Sequence, residues 1–240
     1  VDYRQTLPAV LTGVKNQGQC GSCWAHAAAE TLESHWALQT GDLYVLSQQQ
    51  LASCSPNPKG CGGTGGCQGS VPEIAYEALV KSKANVASVW AYPYESFTGQ
   101  DFECKFGPNS TTGTAVHIDG YYTVPANDQD AVIDALAHAG PLSVVVDASQ
   151  WSAYESGVFD GCAYSKMNVS LDHVVQLVGY GHDEDLDKAY WIVRNSWGPG
   201  WGEHGFIRLV RYPKGEHCGW NMNTNDCRPV APNGAQKICG

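Results

Sequence analysis

Gly18-Gln19-Cys20-Gly21-Ser22-Cys23-Trp24-Ala25-His26-Ala27-Ala28-Ala29-Glu30 holds two cysteines three apart, flanked by glycines and followed by an alanine-rich run. Three chemistries place cysteines this way: a metal clip, a redox pair, or one structural sulfur beside one reactive sulfur. A zinc half-site needs a second Cys/His pair at ligand spacing. Cys54, Cys61 and Cys67 lie seven and six residues apart, with no such pair among them. A redox Cys-x-x-Cys belongs beside a βαβ pattern, and no strand pattern precedes Cys20. The third reading needs a histidine and an orienting group elsewhere in the chain. Cys23 stands at the start of a predicted helix, where the peptide dipoles favour thiolate over thiol.

The helix that begins at Trp24 is strong, because alanine is the best helix former and nothing breaks the run before Gly41. Leu46–Leu51 reads as a short helix capped by Ser47. Pro72–Ser82 reads as another, with Ile74, Ala75, Ala78 and Leu79 at helical spacing. Residues 53–70 form a cysteine- and glycine-rich loop. Gln129–Ala139 is a further helix, ended by Gly140-Pro141. Leu142–Val146, Val174–Val178, Tyr190–Val193 and Phe206–Val210 are short β-branched or aromatic runs, and these read as strands. The expectation is an α+β chain with a mainly helical part over residues 1–115 and a sheet-rich part over residues 116–240.

The totals fit a globular protein. The chain has 240 residues, 43% hydrophobic and 16% charged, with a net charge of −10. No basic stripe is present to neutralise phosphates, which argues against nucleic acid as partner. No run of about 18 apolar residues occurs, so no membrane span is expected. Val1-Asp2-Tyr3-Arg4 carries no signal peptide or initiator Met and reads as a processed or cloned start. Ten cysteines point to an oxidising compartment. The sequons at Asn109 and Asn168 agree, as glycosylation sites on a secretory or lysosome-like route.

Gln17-Gly18-Gln19-Cys20-Gly21-Ser22-Cys23-Trp24 resembles the active-site segment of the papain-like cysteine proteases. Leu171-Asp172-His173-Val174-Val175-Gln176-Leu177-Val178-Gly179-Tyr180-Gly181 resembles the histidine strand of that family. Tyr190-Trp191-Ile192-Val193-Arg194-Asn195-Ser196-Trp197-Gly198 resembles its asparagine segment. His173 lies 150 residues after Cys23, and Asn195 lies 22 after His173, in the family's order.

The resemblance implies a papain-like two-lobe α+β fold, with a helical N-terminal lobe, an antiparallel β-barrel-like C-terminal lobe and the active site in the cleft between them. It implies Cys23 as nucleophile and His173 as its base and later acid, paired as thiolate and imidazolium. Asn195 is expected to orient the imidazole, Trp197 to cover that bond, and Gln17 to donate to the oxyanion with the Cys23 amide, a donor worth about 3–4 kcal/mol. Gly69 and Ser70 match the ledge that pairs with substrate backbone. Val71, Pro72, Val145, Leu171 and Val174, with Asp172 and Trp197 beside them, are expected to bind substrate. This wall set implies an apolar preference at the second residue before the scissile bond.

The resemblance also implies bridges Cys20–Cys67 and Cys54–Cys104, and a bridge from Cys162 to Cys218 or Cys239. Cys61 is left as an extra cysteine. The C-terminal segment that normally floors the main specificity pocket is expected to be lacking, and Ile238-Cys239-Gly240 stands where a last strand would begin. No insertion carrying paired histidines lies in the first lobe, so the expectation is an endopeptidase. Such an enzyme is made as a zymogen, acts as a monomer on peptide or protein, and is held by its own pro-segment or by cystatin-like inhibitors. No cofactor or metal is expected. Its compartment would be secreted, lysosomal or a digestive vacuole. A non-catalytic binding or storage protein and a peptide ligase remain alternatives on the same scaffold.

Overall fold

The computed structural model describes residues 1–105, 113–161, 168–221, 225, 227 and 236–239, with no side-chain description for residues 114 and 239. Three helices open the fold: α1 (Cys23–Thr40), α2 (Gln48–Cys54) and α3 (Pro72–Ser82). Their ends follow local chemistry. Gly41 takes the left-handed conformation that closes α1, with φ 84° and its amide on the Ala37 carbonyl. The Ser47 hydroxyl accepts the Gln50 amide and caps α2. Pro72 sits in the first turn of α3, where its missing N–H costs nothing.

α1 has no polar side. Trp24, Ala25, His26, Ala27, Ala28, Ala29, Glu30 and Glu33 are all buried. The small alanines let other elements approach from several directions, and one apolar cluster forms around α1. It joins Leu46, Leu51, Ala75, Leu79 and Val116 to Cys23 and Val174. The short strands β1 (Val86–Ala87) and β2 (Thr114–Val116) pair antiparallel at its margin.

The remainder is sheet, preceded by α4 (Gln129–His138), which Asp128 caps. The main sheet contains β3 (Leu142–Val146), β4 (Val158–Phe159), β6 (His173–Asp183), β7 (Lys188–Arg194) and β8 (Phe206–Val210), in the order β3-β6-β7-β8-β4. A second sheet pairs β5 (Asn168–Val169), β9 (Cys218–Asn221) and β10 (Gln236–Cys239), in the order β10-β9-β5. The four strands expected from sequence all form, and the histidine strand is longer, running to Asp183. A second apolar cluster of Leu136, Trp151, Tyr154, Val175, Leu177, Val193 and Ile207 packs α4 on this sheet.

The barrel-like expectation is corrected to an open sheet: β3 and β4 are its two edges and do not pair with each other. β4 instead runs parallel to β8. β3 turns its Val145 toward the α1 cluster, so part of this sheet packs on the helices rather than on itself.

The bridges Cys20–Cys67 and Cys54–Cys104 are present. Cys61 is not spare: it is bonded to Cys227, 166 residues away. Cys218 is also disulfide-bonded, whereas Cys162 lies outside the described residues. Asn168 is exposed on β5, and Asn109 lies outside the described residues.

A buried charge cluster ties the N-terminal stretch to α1 and β7. Arg194 donates to the Gly13 carbonyl at 2.6 Å and lies 3.3 Å from Glu30, while Lys15 reaches Glu33 at 2.8 Å. Arg194, Glu30 and Glu33 are buried, so each charge depends on its partners.

Candidate active site

The loop before α1 is set by backbone contacts that only glycine admits. The Gly21 amide donates to the Cys67 carbonyl at 2.9 Å, and a Cβ on Gly21 would lie 2.5 Å from that oxygen. Cys20 is bonded to Cys67 in the same place. The structural sulfur thus anchors the loop and leaves Cys23 as a free, buried thiol at the first position of α1. Amides of Val174, Trp24 and Cys23 itself face its sulfur.

Val174 follows His173 on β6, so α1 and β6 bring the sulfur next to the histidine strand. The His173 ring is nearly buried, and its Nε2 lies 2.8 Å from Asn195 Oδ1. With the amide oxygen accepting, Nε2 carries the proton and Nδ1 is the basic nitrogen. Asn195 Oδ1 also accepts the Ser196 amide at 2.8 Å, which fixes the oxygen toward the ring. Trp197 covers this pair, its ring 5.0 Å from that of His173. Trp151 stands edge-on to the imidazole at 6.1 Å and stacks on Trp201.

Gln17 is held from both ends. Its Nε2 donates to the Cys20 carbonyl at 2.9 Å, and its Oε1 accepts from Ser196 Oγ at 2.6 Å. An amide nitrogen has two protons, so one donor remains beyond the Cys20 bond. The Tyr94 hydroxyl donates to the Gln17 carbonyl at 2.9 Å and lies 2.7 Å from Ser22 Oγ. His26 packs edge-on against Tyr94 with its Nδ1 3.0 Å from the Ser22 carbonyl.

Burial acts on both reacting groups. It pushes the Cys23 thiol up to about 11, opposed by the surrounding amides. It lowers His173, opposed by Asn195 and by the Asp172 charge. Each isolated charge is therefore disfavoured here. A proton moved from sulfur to imidazole would leave the net charge at zero, and two charges formed together would each lower the cost of the other.

Of the residues expected to bind substrate, two share the cluster of the nucleophile candidate. Val145 and Val174 pack in the cluster that contains Cys23. Val71 and Pro72 begin α3 and are buried, as are Ser70 and Leu171. Gly69 has φ 87° and its carbonyl accepts the Gly65 amide at 2.8 Å. Asp172 is exposed, and its carboxylate accepts the Ala148 amide at 3.0 Å.

Two C-terminal residues make contacts beside these positions. Asn221 Oδ1 accepts the Leu171 amide at 3.2 Å, and the Asn225 carbonyl accepts the Gly62 amide at 2.5 Å. A cavity of about 400 Å³ exists elsewhere, lined by Gln150, Ala153, Tyr154, Glu155, Ser156 and Phe159, none of them expected to bind substrate.

Sequence reasoning missed Ser196, Tyr94 and Trp151 as supports. Ser196 lay inside the asparagine motif, where its position beside Asn195 was a usable signal. The others carry none, since only the fold brings them to the site.

The family described as "Papain family cysteine protease" matches residues 1–226. The chain belongs to the papain family. Curated relatives include "Oryzain beta chain" of Oryza sativa subsp. japonica, 42% identical over 213 residues, which are 88% of this chain and 42% of that protein. "Cathepsin L-like" of Caenorhabditis elegans is 40% identical over 223 residues, 91% of this chain and 60% of that protein. The chain thus spans about half the length of the curated relatives it matches.

Among solved structures, bromelain protease from Ananas comosus in complex with the E64 inhibitor matches with TM-score 0.73 and 39% identity, over 89% of each chain. Digestive procathepsin L 3 of Tenebrio molitor larval midgut matches with TM-score 0.75 and 36% identity, over 88% of this chain and 64% of that one. This papain-family chain therefore shares its α+β architecture with both.

Proposed function

We propose that the chain is a cysteine endopeptidase that hydrolyses peptide bonds through an acyl-enzyme. The observation that carries this reading is the His173 Nε2–Asn195 Oδ1 bond of 2.8 Å, beside a free Cys23 whose sulfur meets the Val174 amide. That bond leaves Nδ1 to take the thiol proton. The sulfur then attacks the scissile carbonyl, and the developing oxyanion is received by the Cys23 amide and the remaining Gln17 Nε2 proton. Collapse breaks the C–N bond as His173 returns the proton to the departing amine. A water then gives its proton to His173 and attacks the thioester, which restores the thiol.

Gly69 and Ser70 offer backbone groups to an extended peptide, and Val71, Pro72, Val145, Leu171 and Val174 form its apolar surroundings, with Asp172 and Trp197 at the margin. An apolar side chain is preferred two residues before the scissile bond, where burial contributes about 1.5–3 kcal/mol. The division near residue 115 separates the part carrying Cys23 from the part carrying His173 and Asn195. Synthesis as a zymogen and control by a pro-segment or a cystatin-like inhibitor are supported by the procathepsin and inhibitor-bound neighbours. The bridges support a secreted, lysosomal or digestive-vacuole setting, with the enzyme working as a monomer and glycans on Asn109 and Asn168. Among the described residues, no helix is long and apolar enough to cross a membrane.

Titration with iodoacetamide while following hydrolysis of a Leu-Arg amide tests this. Loss of hydrolysis at one equivalent, with the label on Cys23, is expected. Labelling of Cys23 on a chain that never cleaves would overturn the reading in favour of a binding protein. Transfer of the acyl group to an added amine in place of water would overturn it in favour of a ligase.

A further inference from the structure

We propose that Ser143 and Gln176, opposed on β3 and β6, are positioning residues that set where α1 lies along the sheet and thereby hold the Cys23 sulfur in reach of His173. The inference rests on the reading of Cys23 and His173 as a reacting pair. The two strands meet α1 in successive rungs. Val145 stands opposite Val174, and Ser143 opposite Gln176. Alternate residues of a strand share a face, so both rungs point the same way. Val145 and Val174 pack in the apolar cluster that holds Cys23, Ala27 and Ala28. The next rung is polar, and it meets α1 through hydrogen bonds.

Gln176 is fully buried. Its Nε2 donates to the Glu30 carbonyl at 2.9 Å and to Ser34 Oγ at 3.0 Å, both on α1. Its Oε1 accepts from Arg194 Nη1 at 3.4 Å, on β7 one residue before Asn195. One side chain thus joins the helix of Cys23, the strand of His173 and the strand that leads into Asn195. Ser143 Oγ donates to the Ala27 carbonyl at 3.1 Å. It accepts from Thr31 Oγ1 of α1 and from the Tyr76 hydroxyl of α3, each at 2.9 Å. The proton and both lone pairs of this hydroxyl are then used.

Apolar packing alone leaves this position loose. Burial of apolar surface is non-directional, and the buried alanines of α1 offer no bulky ridge to arrest sliding. Bonds to the Ala27 and Glu30 carbonyls are directional and address particular turns of the helix. A slip of one residue moves a helix about 1.5 Å along its axis. A misplacement of about 1 Å at a reacting centre can cost roughly a hundredfold in rate. Ser143 and Gln176 therefore act on the reaction through α1 and β6.

The test is Gln176→Met, which keeps the side chain's length and removes its bonds. Ser143→Ala breaks the same rung independently and leaves Arg194 its acceptor. Two readouts are taken on the folded proteins: kcat and KM on a Leu-Arg amide, and the rate of Cys23 alkylation by iodoacetamide near pH 7 relative to that near pH 10. In each variant kcat should fall about tenfold or more, with KM changed by less than about twofold. The alkylation ratio should also fall about tenfold, toward that of a thiol without its imidazole. A purely structural role would lower the urea midpoint and leave both readouts as in the wild type, and that result in either variant would overturn the proposal. Should Gln176→Met fail to fold, Ser143→Ala decides. A wild-type chain that alkylates near pH 7 but hydrolyses no amide would sink the protease reading alone, and the alkylation ratio would still judge the rung.

Discussion

Ser196 Oγ donates to Gln17 Oε1 across 2.6 Å, and the two residues stand 179 positions apart in the chain. Through this bond the segment that holds His173 also holds the Gln17 amide, the side-chain donor proposed for the oxyanion. The same two residues are also linked through the backbone, the Gln17 N–H donating to the Ser196 carbonyl at 2.9 Å. Ser196→Ala therefore removes one of the two bonds that hold the Gln17 side chain, without touching Cys23 or His173. A buried hydrogen bond contributes about 0.5–1.5 kcal/mol, so kcat should fall roughly three- to tenfold with KM little changed. Steady-state kinetics on a Leu-Arg amide read this, and an unchanged kcat would remove Ser196 from the oxyanion arrangement.

Cys23 should be reactive at neutral pH only with its imidazole. Burial, only partly offset by the amides around the sulfur, pushes the thiol up to about 11, and a raised thiol pKa means thiolate appears only as pH climbs toward that value. In His173→Ala the rate of alkylation by iodoacetamide should therefore keep rising above pH 9, whereas the wild type should already react well near pH 7. Identical pH profiles for the two proteins would show that His173 takes no proton from the sulfur.

His26 should weaken the fold in acid. Burial lowers its pKa from 6.5 to about 3. Above 6.5 neither folded nor unfolded chain binds the proton, so His26 contributes no pH dependence. Below 6.5 the unfolded chain takes a proton that the folded one refuses, and stability falls by up to about 1.4 kcal/mol per pH unit until about 3. Urea midpoints from pH 7 to pH 4 should decline less steeply in His26→Phe than in the wild type. Parallel declines would place the acid sensitivity elsewhere.

Arg194→Met should cost more stability than any surface change, because it leaves the Glu30 carboxylate buried without its guanidinium partner at 3.3 Å. Breaking one half of a buried pair typically destabilises by about 3–5 kcal/mol. Lys15 remains 3.7 Å from Glu30, which places the expectation at the lower end. Chemical denaturation measures the loss, and a shift below about 1 kcal/mol would show that Glu30 goes neutral in the variant at little expense.

The helices were legible because their signals are local. Ser47, Pro72 and Gly41 mark ends that the fold respects. The strands were legible as short β-branched runs, and Cys23, His173 and Asn195 through three motifs. What escaped depends on distance along the chain. Cys61 finds Cys227 across 166 residues, and no spacing announces that pairing. Asn57 reads as an ordinary turn residue until Cys61, Gly63 and Ser70 close around its amide. The open sheet was equally hidden. Strand patterns tell which residues face inward but not whether β3 meets β4, and here β3 is drawn to α1 instead.

One hydroxyl closes the account of how the site is held. Tyr94 touches Ser22 at the head of the nucleophile's helix and the carbonyl of Gln17 on the opposite flank. A single phenol thus joins the helix to the loop, and under the proposed mechanism it holds the Cys23 amide and the Gln17 amide in one frame before substrate arrives. An arriving carbonyl would then meet dipoles already oriented, with their reorganisation completed during folding instead of in the turnover step.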